Sequence, residues 1–209
     1  VYRDSIRRIN GRSYAFDGIG RMQTGFVLFD GKSEFVAQYD VDNWSSEDFI
    51  EGNIYGIEKT DLYLFSPDEL NDGSMKTGQD IAVALDDGVF HFGFASHGNA
   101  FGNRNHLQKK EDRYYINGLR LDADEEYGYG VVKVEDGSDI YYQVVDTSGK
   151  VVEGKRRVVR DKDGGYLLII RNRFAAWCGD EDKPRWRNGN EGSGFYHYDK
   201  ENTEDHFAE

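Results

Sequence analysis

Cysteine is almost absent from this sequence, since Cys178 is the only one in 209 residues. A single thiol excludes a disulfide within the chain and a metal site built from several of its cysteines. No surrounding motif would activate Cys178 as a nucleophile, and we interpret it as a small buried apolar residue. None of the five histidines has a partner at a metal-ligand spacing, so the sequence predicts neither a metal ion nor another cofactor.

Long hydrophobic runs are also missing. No apolar stretch approaches the roughly 20 residues that a membrane helix needs, and we expect no insertion into a membrane. Basic residues are outnumbered, with 26 Lys and Arg against 39 Asp and Glu, which gives a net charge of −13. This balance argues against nucleic acid as a partner, because a phosphate backbone requires clustered positive charge. The basic run at 155–157 is followed by Asp161 and Asp163, which favours a solvated strand edge.

Proline and methionine occur twice each, whereas the chain has 25 glycines, 14 tyrosines and 13 phenylalanines. Aromatic side chains pack well on a pleated sheet, and glycine supplies the backbone conformations that tight turns need. The composition therefore predicts an all-β fold of many short strands. One helical turn is expected behind a serine cap at 45–50. No signal peptide is visible in the sequence, and we expect a processed chain or a piece of a longer protein.

A repeated pattern runs through the first three quarters of the chain: an aromatic strand, a glycine turn, a second short strand and a closing glycine. The clearest copy spans 10–25 and ends in Met-Gln-Thr-Gly, and a second ends in Met-Lys-Thr-Gly at 75–78. Further copies span 91–102, 114–130 and 141–154, and a weak copy ends at 49–52. The closing glycines, at 25, 52, 78, 102, 130 and 154, are separated by 27, 26, 24, 28 and 24 residues.

A copy of 24 to 28 residues holds two short strands and two turns, which predicts a β-hairpin. A single hairpin is marginally stable because nothing covers its apolar face, whereas stacked hairpins cover one another. We therefore predict an elongated β-hairpin solenoid of about six repeats over residues 1–155. Residues 156–209 are predicted to form a final hairpin, with a strand at 165–170, and a C-terminal cap packed on the same array.

The first copy resembles the bacterial cell wall-binding repeat family, which includes choline-binding modules, streptococcal glucan-binding modules and the receptor-binding repeats of clostridial toxins. The resemblance covers residues 7–155 and is most specific in the first copy. The matching residues there are Asn10, Gly11, Tyr14, Phe16, Asp17, Gly20, Met22, Thr24 and Gly25. The resemblance implies a hairpin solenoid that holds a secreted protein on a glycan or wall polymer.

The aromatic cage of choline-binding modules is incomplete in this sequence. In those modules Trp opens each hairpin and Trp follows each closing glycine, and together they surround a quaternary ammonium by cation–π attraction. The opening positions here carry Ser13, Leu62, His91, Arg113 and Tyr142. The positions after the closing glycines carry Phe26, Gln79, Asn103, Val131 and Lys155. The sequence therefore argues against choline as the ligand.

Exposed aromatic side chains can instead stack on the apolar faces of sugar rings. The candidate ligand-binding residues are Tyr14, Phe26, Tyr114, Tyr142, Trp186 and Tyr196. The competing interpretation is that these rings only pack between neighbouring hairpins, or in the cap for the last two.

The carboxylates give no sign of an active site. Pairs such as Asp86-Asp87 and Asp122-Ala123-Asp124 lie in turn-like contexts, and no nucleophile elbow or phosphate-binding loop is present. We expect a non-catalytic cell-wall or glycan-binding module of a secreted or surface bacterial protein. Two alternatives stay open: a spacer or adhesin stalk with no ligand, and an accessory region of an enzyme or toxin whose catalytic domain lies elsewhere. The sequence does not determine the oligomeric state.

Overall fold

The computed structural model describes residues 1–31, 34–67, 72–125, 128–136, 139–153, 156–160, 166–170 and 174–178. Within these residues the secondary structure is mostly β-strand. The strands are β1 (Ser5–Ile9), β2 (Arg12–Phe16), β3 (Met22–Gln23), β4 (Gly25–Asp30), β5 (Phe35–Tyr39), β6 (Thr60–Phe65), β7 (Gly78–Leu85), β8 (Gly88–Phe94), β9 (Gln108–Lys110), β10 (Arg113–Ile116), β11 (Leu119–Arg120), β12 (Tyr129–Asp136), β13 (Asp139–Asp146), β14 (Arg156–Arg160), β15 (Tyr166–Ile170) and β16 (Phe174–Cys178). The helices are α1 (Ser46–Glu51) and two single 3-10 turns, Val41–Asn43 and Ile57–Lys59.

The strands form several small antiparallel sheets. Their strand orders are β1-β2-β3, β5-β4-β6, β7-β8-β11-β10-β9, β12-β13 and β14-β15-β16. The predicted all-β class is confirmed, and the strand predicted at 165–170 corresponds to β15, which is described from Tyr166 to Ile170. The finer prediction of an elongated solenoid stays a prediction.

The chain divides into two compact units. The first contains Val1–Gln108 and Tyr115–Arg120, and the second contains Lys109–Tyr114 and the chain from Leu121 onward. This division falls inside the segment expected to be one array, at 1–155. The predicted terminal cap after β16 lies outside the described residues.

The core of the first unit is shared by strands from different copies of the repeat. The Phe26 ring of β4 lies 5.0 Å from the Phe49 ring of α1 and 5.3 Å from the Phe92 ring of β8. Leu64 of β6 and Leu119 of β11 belong to the same cluster of buried side chains. These hairpins are therefore held by one common core as well as by contacts between neighbours.

The expected helical turn at 45–50 is confirmed as α1. The Ser45 side chain accepts a hydrogen bond from the Asp48 N–H, and the Asp48 carboxylate accepts one from the Ser45 N–H, which forms a capping box. Gly52 ends the helix with φ 67°, a left-handed conformation that glycine adopts without strain. The weak copy of the repeat that was predicted to end at 49–52 is therefore a capped helix and not a hairpin.

Three of the predicted copies of the repeat contain the same turn, which comes before the closing glycine. It occupies residues 17–21, 95–99 and 146–150, and its fourth residue is a glycine with positive φ: 87° at Gly20, 98° at Gly98 and 70° at Gly149. In each turn the glycine N–H donates to the carbonyl oxygen three residues earlier, at 3.0, 2.8 and 2.8 Å. The three copies that the sequence predicts at these positions therefore share one turn conformation.

Backbone hydrogen bonds join each of three hairpins to the preceding one. The donor is a residue two or three positions before the closing glycine. The Met75 N–H donates to the Ser13 carbonyl at 2.8 Å, and the Ala100 N–H donates to the Leu62 carbonyl at 2.9 Å. In the second unit the Val151 N–H donates to the Asp112 carbonyl at 2.7 Å.

The copy expected at 114–130 departs from this pattern. Its hairpin turns at Asn117 and Gly118, both with positive φ, and pairs β10 with β11. Gly130 lies inside β12 and closes no hairpin. The turn is shorter because an Asn-Gly pair needs only two residues to reverse the chain.

Candidate functional site

The sheet β1-β2-β3 has two chemically different faces. On its inner face, Ala15 is fully buried against Val27, Phe29 and Phe65. Because neighbouring residues of a strand point to opposite sides, Tyr14 and Phe16 lie on the outer face. Tyr14 pairs there with Arg7 of β1, and Phe16 pairs with Ser5 of β1 and Met22 of β3.

The outer face carries two exposed apolar groups, Tyr2 and Met22, beside the half-buried rings of Tyr14 and Phe16. We call these four residues the N-terminal aromatic face. The Tyr2 ring lies 5.5 Å from the Phe16 ring, and the Arg7 guanidinium lies 5.7 Å from the centre of the Tyr2 ring. Tyr2 is 51% exposed and Met22 is 49% exposed. The Met22 methyl group lies against the backbone of Gly73, so the face extends to the loop of the next hairpin.

Polar groups border this face. The Tyr14 hydroxyl donates to Asp72 Oδ2 at 3.0 Å, and the Arg12 guanidinium pairs with the same carboxylate. The Ser74 N–H donates to Asp72 Oδ1 at 3.2 Å. These contacts join β2 of the first hairpin to the loop of the second one.

The network changes the acidity of its members. The hydrogen bond from Ser74 is the largest cause, and the hydrogen bond from Arg12 the second largest, that holds the pKa of Asp72 far below its usual range. Partial desolvation and the hydrogen bond to Asp72 raise the pKa of Tyr14. At neutral pH the carboxylate is therefore an anion and the phenol stays protonated, so one acceptor, one cation and one aromatic ring stand side by side.

This arrangement has the components that sugar recognition uses. An aromatic ring offers a flat apolar surface to the C–H face of a sugar, and a carboxylate with a guanidinium offers an acceptor and donors for its hydroxyls. The Arg12–Asp72 pair lies at the surface, where an ion pair contributes little to stability.

Phe26 and Tyr114 lie in the interior. Phe26 is 0% exposed in the common core of the first unit, and Tyr114 is 2% exposed in the second unit. The Tyr114 hydroxyl donates to Gln143 Oε1, and the Lys109 ammonium lies 5.6 Å from the centre of its ring. Burial on this scale leaves neither ring a face for a sugar. Of the sequence candidates whose side chains are described, only Tyr14 lies on an accessible surface.

The other sequence candidates cannot be placed. Tyr142 belongs to β13, but its side chain lies outside the described part of the chain. Trp186 and Tyr196 lie outside the described residues.

Sequence reasoning missed three members of the aromatic face. Phe16 and Met22 carried a usable signal, because Phe16 is two residues from Tyr14 on the same strand and Met22 belongs to the repeated motif. Tyr2 carried none, since it precedes the first strand and reaches Phe16 only through the fold.

The described residues contain neither a candidate metal centre nor a candidate membrane helix. Among them, no three His, Cys, Asp or Glu side chains come together as a group that could hold a metal ion. No helix in the described ranges has both the length and the apolar composition of a membrane span.

Comparison with known proteins gives structural likeness without sequence support. No protein-family profile matches the chain, and no curated protein matches it in sequence. The fold is similar to that of CbpJ from Streptococcus pneumoniae TIGR4, at 13% identity and a TM-score of 0.42, over 82% of this chain and 59% of CbpJ. Alternansucrase, solved in complex with isomaltononaose, is similar at 13% identity and a TM-score of 0.20, over 81% of this chain and 15% of the enzyme. The chain thus spans about three fifths of the first structure and a small part of the second.

Proposed function

We propose that this chain is a non-catalytic module that binds a cell-wall polymer or glycan and belongs to a secreted or surface-attached bacterial protein. The N-terminal aromatic face is its contact surface. Tyr14 and Tyr2 stack on sugar rings, and Arg12 with Asp72 hydrogen-bonds the sugar hydroxyls.

The observation that carries the proposal is that the exposed Tyr2 ring and the half-buried rings of Tyr14 and Phe16 lie together beside an ionised pair. Soluble proteins bury most large aromatic side chains, and an exposed group of them with polar neighbours is typical of a binding surface. Tyr2 is half exposed although Phe26, Phe92 and Phe94 are covered completely or almost so. Resemblance of residues 10–25 to cell wall-binding repeats supports the same assignment.

The experiment compares the wild-type chain with Tyr14→Ala and Tyr2→Ala in a pull-down on purified bacterial cell walls and on a glycan array. Loss of one stacking ring is expected to weaken binding about tenfold, which corresponds to roughly 1.4 kcal/mol. Tyr55→Ala is the matched control, because Tyr55 is 81% exposed and lies outside the aromatic face. Equal binding by all four proteins contradicts the proposed surface.

A spacer without a ligand is the second candidate, and the burial of Phe26 and Tyr114 favours it. In a spacer, aromatic side chains serve only to pack the hairpins, as these two do. The spacer predicts that the wild-type chain binds neither cell walls nor any glycan on the array, and the binding module predicts that it binds at least one of them.

A further inference from the structure

The first unit also has a concave surface, which no residue of the aromatic face lines. It is a cleft of about 480 Å³ between the segment 57–62, at the start of β6, and the loop 99–108. Cavities of this volume are in the range that small ligands occupy. We call it the amide cleft because five Asn and Gln side chains line it: Asn99, Asn103, Asn105, Gln108 and Asn117.

The loop that forms one wall is held in place by its own hydrogen bonds. The N–H groups of Asn103 and His106 each donate to the carbonyl of the other residue, at 3.0 and 3.1 Å. Gly102 at the base of the loop has φ 69°, and a Cβ there would lie 2.4 Å from the Tyr115 carbonyl oxygen. Only glycine fits this position, where the base of the loop lies directly against the backbone of β10.

Three of the amides use one end to bind protein and keep the other end for the cleft. Asn103 Oδ1 accepts from the Asn105 N–H at 3.0 Å, and Gln108 Oε1 accepts from the Gly102 N–H at 2.9 Å. Asn117 Nδ2 donates to the Phe49 carbonyl at 2.7 Å. The remaining groups, Asn103 Nδ2, Gln108 Nε2 and Asn117 Oδ1, have no hydrogen-bond partner among the described residues.

Asn117 supplies the one acceptor among these three groups. The residue is 2% exposed, it lines the cleft, and its side-chain oxygen has no hydrogen-bond partner within the described part of the chain. Ser66 Oγ is the only fully buried side-chain polar atom without a partner among the described residues, so Asn117 Oδ1 is open to the cleft. Water or a hydroxyl group of a ligand can therefore reach this oxygen. Because the other end of each amide is tied down, the free donors and acceptor have defined orientations.

The charges around the cleft select against ions. Glu58 and Asp61 line it together with Lys59 and Arg104, so both signs are represented equally. Lys59 is already paired with Glu58 at 4.0 Å, and the Arg104 side chain lies against Gly52, where a Cβ would come within 2.8 Å of Cγ and Cδ. An anion or a cation would meet like charge as well as opposite charge.

We propose that the amide cleft binds a neutral hexose unit through its hydroxyl groups. Hydroxyls donate and accept hydrogen bonds, and they match a set of oriented amide donors and an amide acceptor without requiring net charge. This inference rests on the proposed glycan-binding function and adds a second sugar subsite with a stated ligand class.

Two substitutions reverse the free groups while keeping the structural bonds. In Asn103→Asp and Gln108→Glu the oxygen that accepts from the backbone is retained, and the free NH₂ donor becomes a carboxylate oxygen. Asn43→Asp adds the same charge at an exposed position outside the cleft and is the matched control. An array of neutral and of sialylated or uronic oligosaccharides is the probe, and the strongest neutral binder is then titrated into ¹⁵N-labelled protein.

We expect Asn103→Asp and Gln108→Glu, each of which adds one negative charge as the control does, to bind the neutral oligosaccharide at least tenfold more weakly, and Asn43→Asp to bind it as the wild type does. In the wild type, the side-chain NH₂ resonances of Asn103 and Gln108 should shift on titration. If the oligosaccharide binds and only resonances near Tyr14 and Phe16 shift, the cleft inference is overturned and the proposed function stands. If acidic oligosaccharides bind at the cleft more tightly than neutral ones, the ligand class is wrong. If no oligosaccharide and no wall preparation binds, the proposed function itself fails.

Discussion

Asp17 and Asp146 occupy the same position in two copies of one turn. Asp17 Oδ1 accepts hydrogen bonds from the N–H groups two and four residues later, at 3.0 and 2.8 Å, and Asp146 Oδ1 does the same at 2.9 and 3.0 Å. Each carboxylate thereby ties together a turn that leads from one strand to the next. The aspartate that begins two of the three turns is thus a structural acceptor, and the third turn, which begins at Ala95, lacks it.

The Asp17 turn should contribute measurably to stability. Asp17→Ala removes the acceptor for the N–H groups of Ile19 and Arg21, and the melting temperature is expected to fall by about 2–4 °C. Thermal unfolding followed by circular dichroism measures this. Asp42→Ala, at an exposed acid in the first 3-10 turn, is the control and should melt with the wild type. An unchanged melting temperature for Asp17→Ala would contradict the role assigned to the turn.

The same carboxylates predict a loss of stability in acid. Desolvation opposes the effect, but hydrogen bonds from the backbone and side chain of Arg21 lower the pKa of Asp17 below 3.8. Hydrogen bonds from Ser148 and the Lys150 N–H likewise lower the pKa of Asp146, again against desolvation. A carboxyl whose pKa is lower in the folded state stabilises that state fully above the unfolded value, and the contribution disappears as the pH falls through the folded pKa.

Urea unfolding between pH 6 and pH 2 should therefore show a free energy of unfolding that decreases below about pH 4. The double variant Asp17→Asn/Asp146→Asn should show a shallower decrease over that interval, because it lacks two of the titrating groups. A decrease of the same steepness in both proteins would assign the acid sensitivity to other carboxylates.

Gly98 should be intolerant of a side chain. It has φ 98°, and a Cβ there would lie 2.3 Å from Met75 Sδ and 3.0 Å from Tyr63 Cδ1. Gly98→Ala is expected to lower the free energy of unfolding by at least about 1 kcal/mol, through backbone strain and displacement of Met75. Gly31→Ala is the control in the same urea titration, since a Cβ at Gly31 meets nothing within 4 Å. Equal stability of the two variants would refute the packing described between these hairpins.

Alanine substitutions at Phe26 and Phe16 should distinguish a ring that stabilises the core from a ring that binds a glycan. Phe26→Ala opens a cavity in the common core and is expected to cost about 3–5 kcal/mol of unfolding free energy. Phe16→Ala should cost much less, because that ring is only partly covered, while reducing binding to the glycan that the wild type selects. Chemical denaturation and a binding titration of both variants measure the two effects. A large stability loss in Phe16→Ala with unchanged binding would favour the spacer over the binding module.

Much of the local structure could be predicted from the sequence. The glycine turns at 17–21 and 146–150, the capped helix at Ser45 and the strand at 166–170 all follow from conformational preferences of residues next to one another. The regular spacing of the closing glycines predicted hairpin positions less reliably. Gly52 ends a helix and Gly130 lies within a strand, because glycine serves helix ends and strand interiors as well as hairpin turns.

Burial of the candidate rings could not be predicted in the same way. Phe26 follows a closing glycine, the position that is a ligand contact in choline-binding modules. Here that position is the second residue of β4, the central strand of the sheet β5-β4-β6, in which Phe26, Val27 and Leu28 are all fully buried. The covering groups come from distant parts of the chain, such as Phe49 and Phe92.

The sequence by itself determined the β class, the turn chemistry and the recurrence of the hairpin, because these depend on backbone dihedral preferences and on side chains a few residues apart. Only the tertiary structure decided which aromatic rings reach the surface and which amides line a cleft. Exposure depends on what packs against a residue from far along the chain, and that information is not contained in any single copy of the repeat.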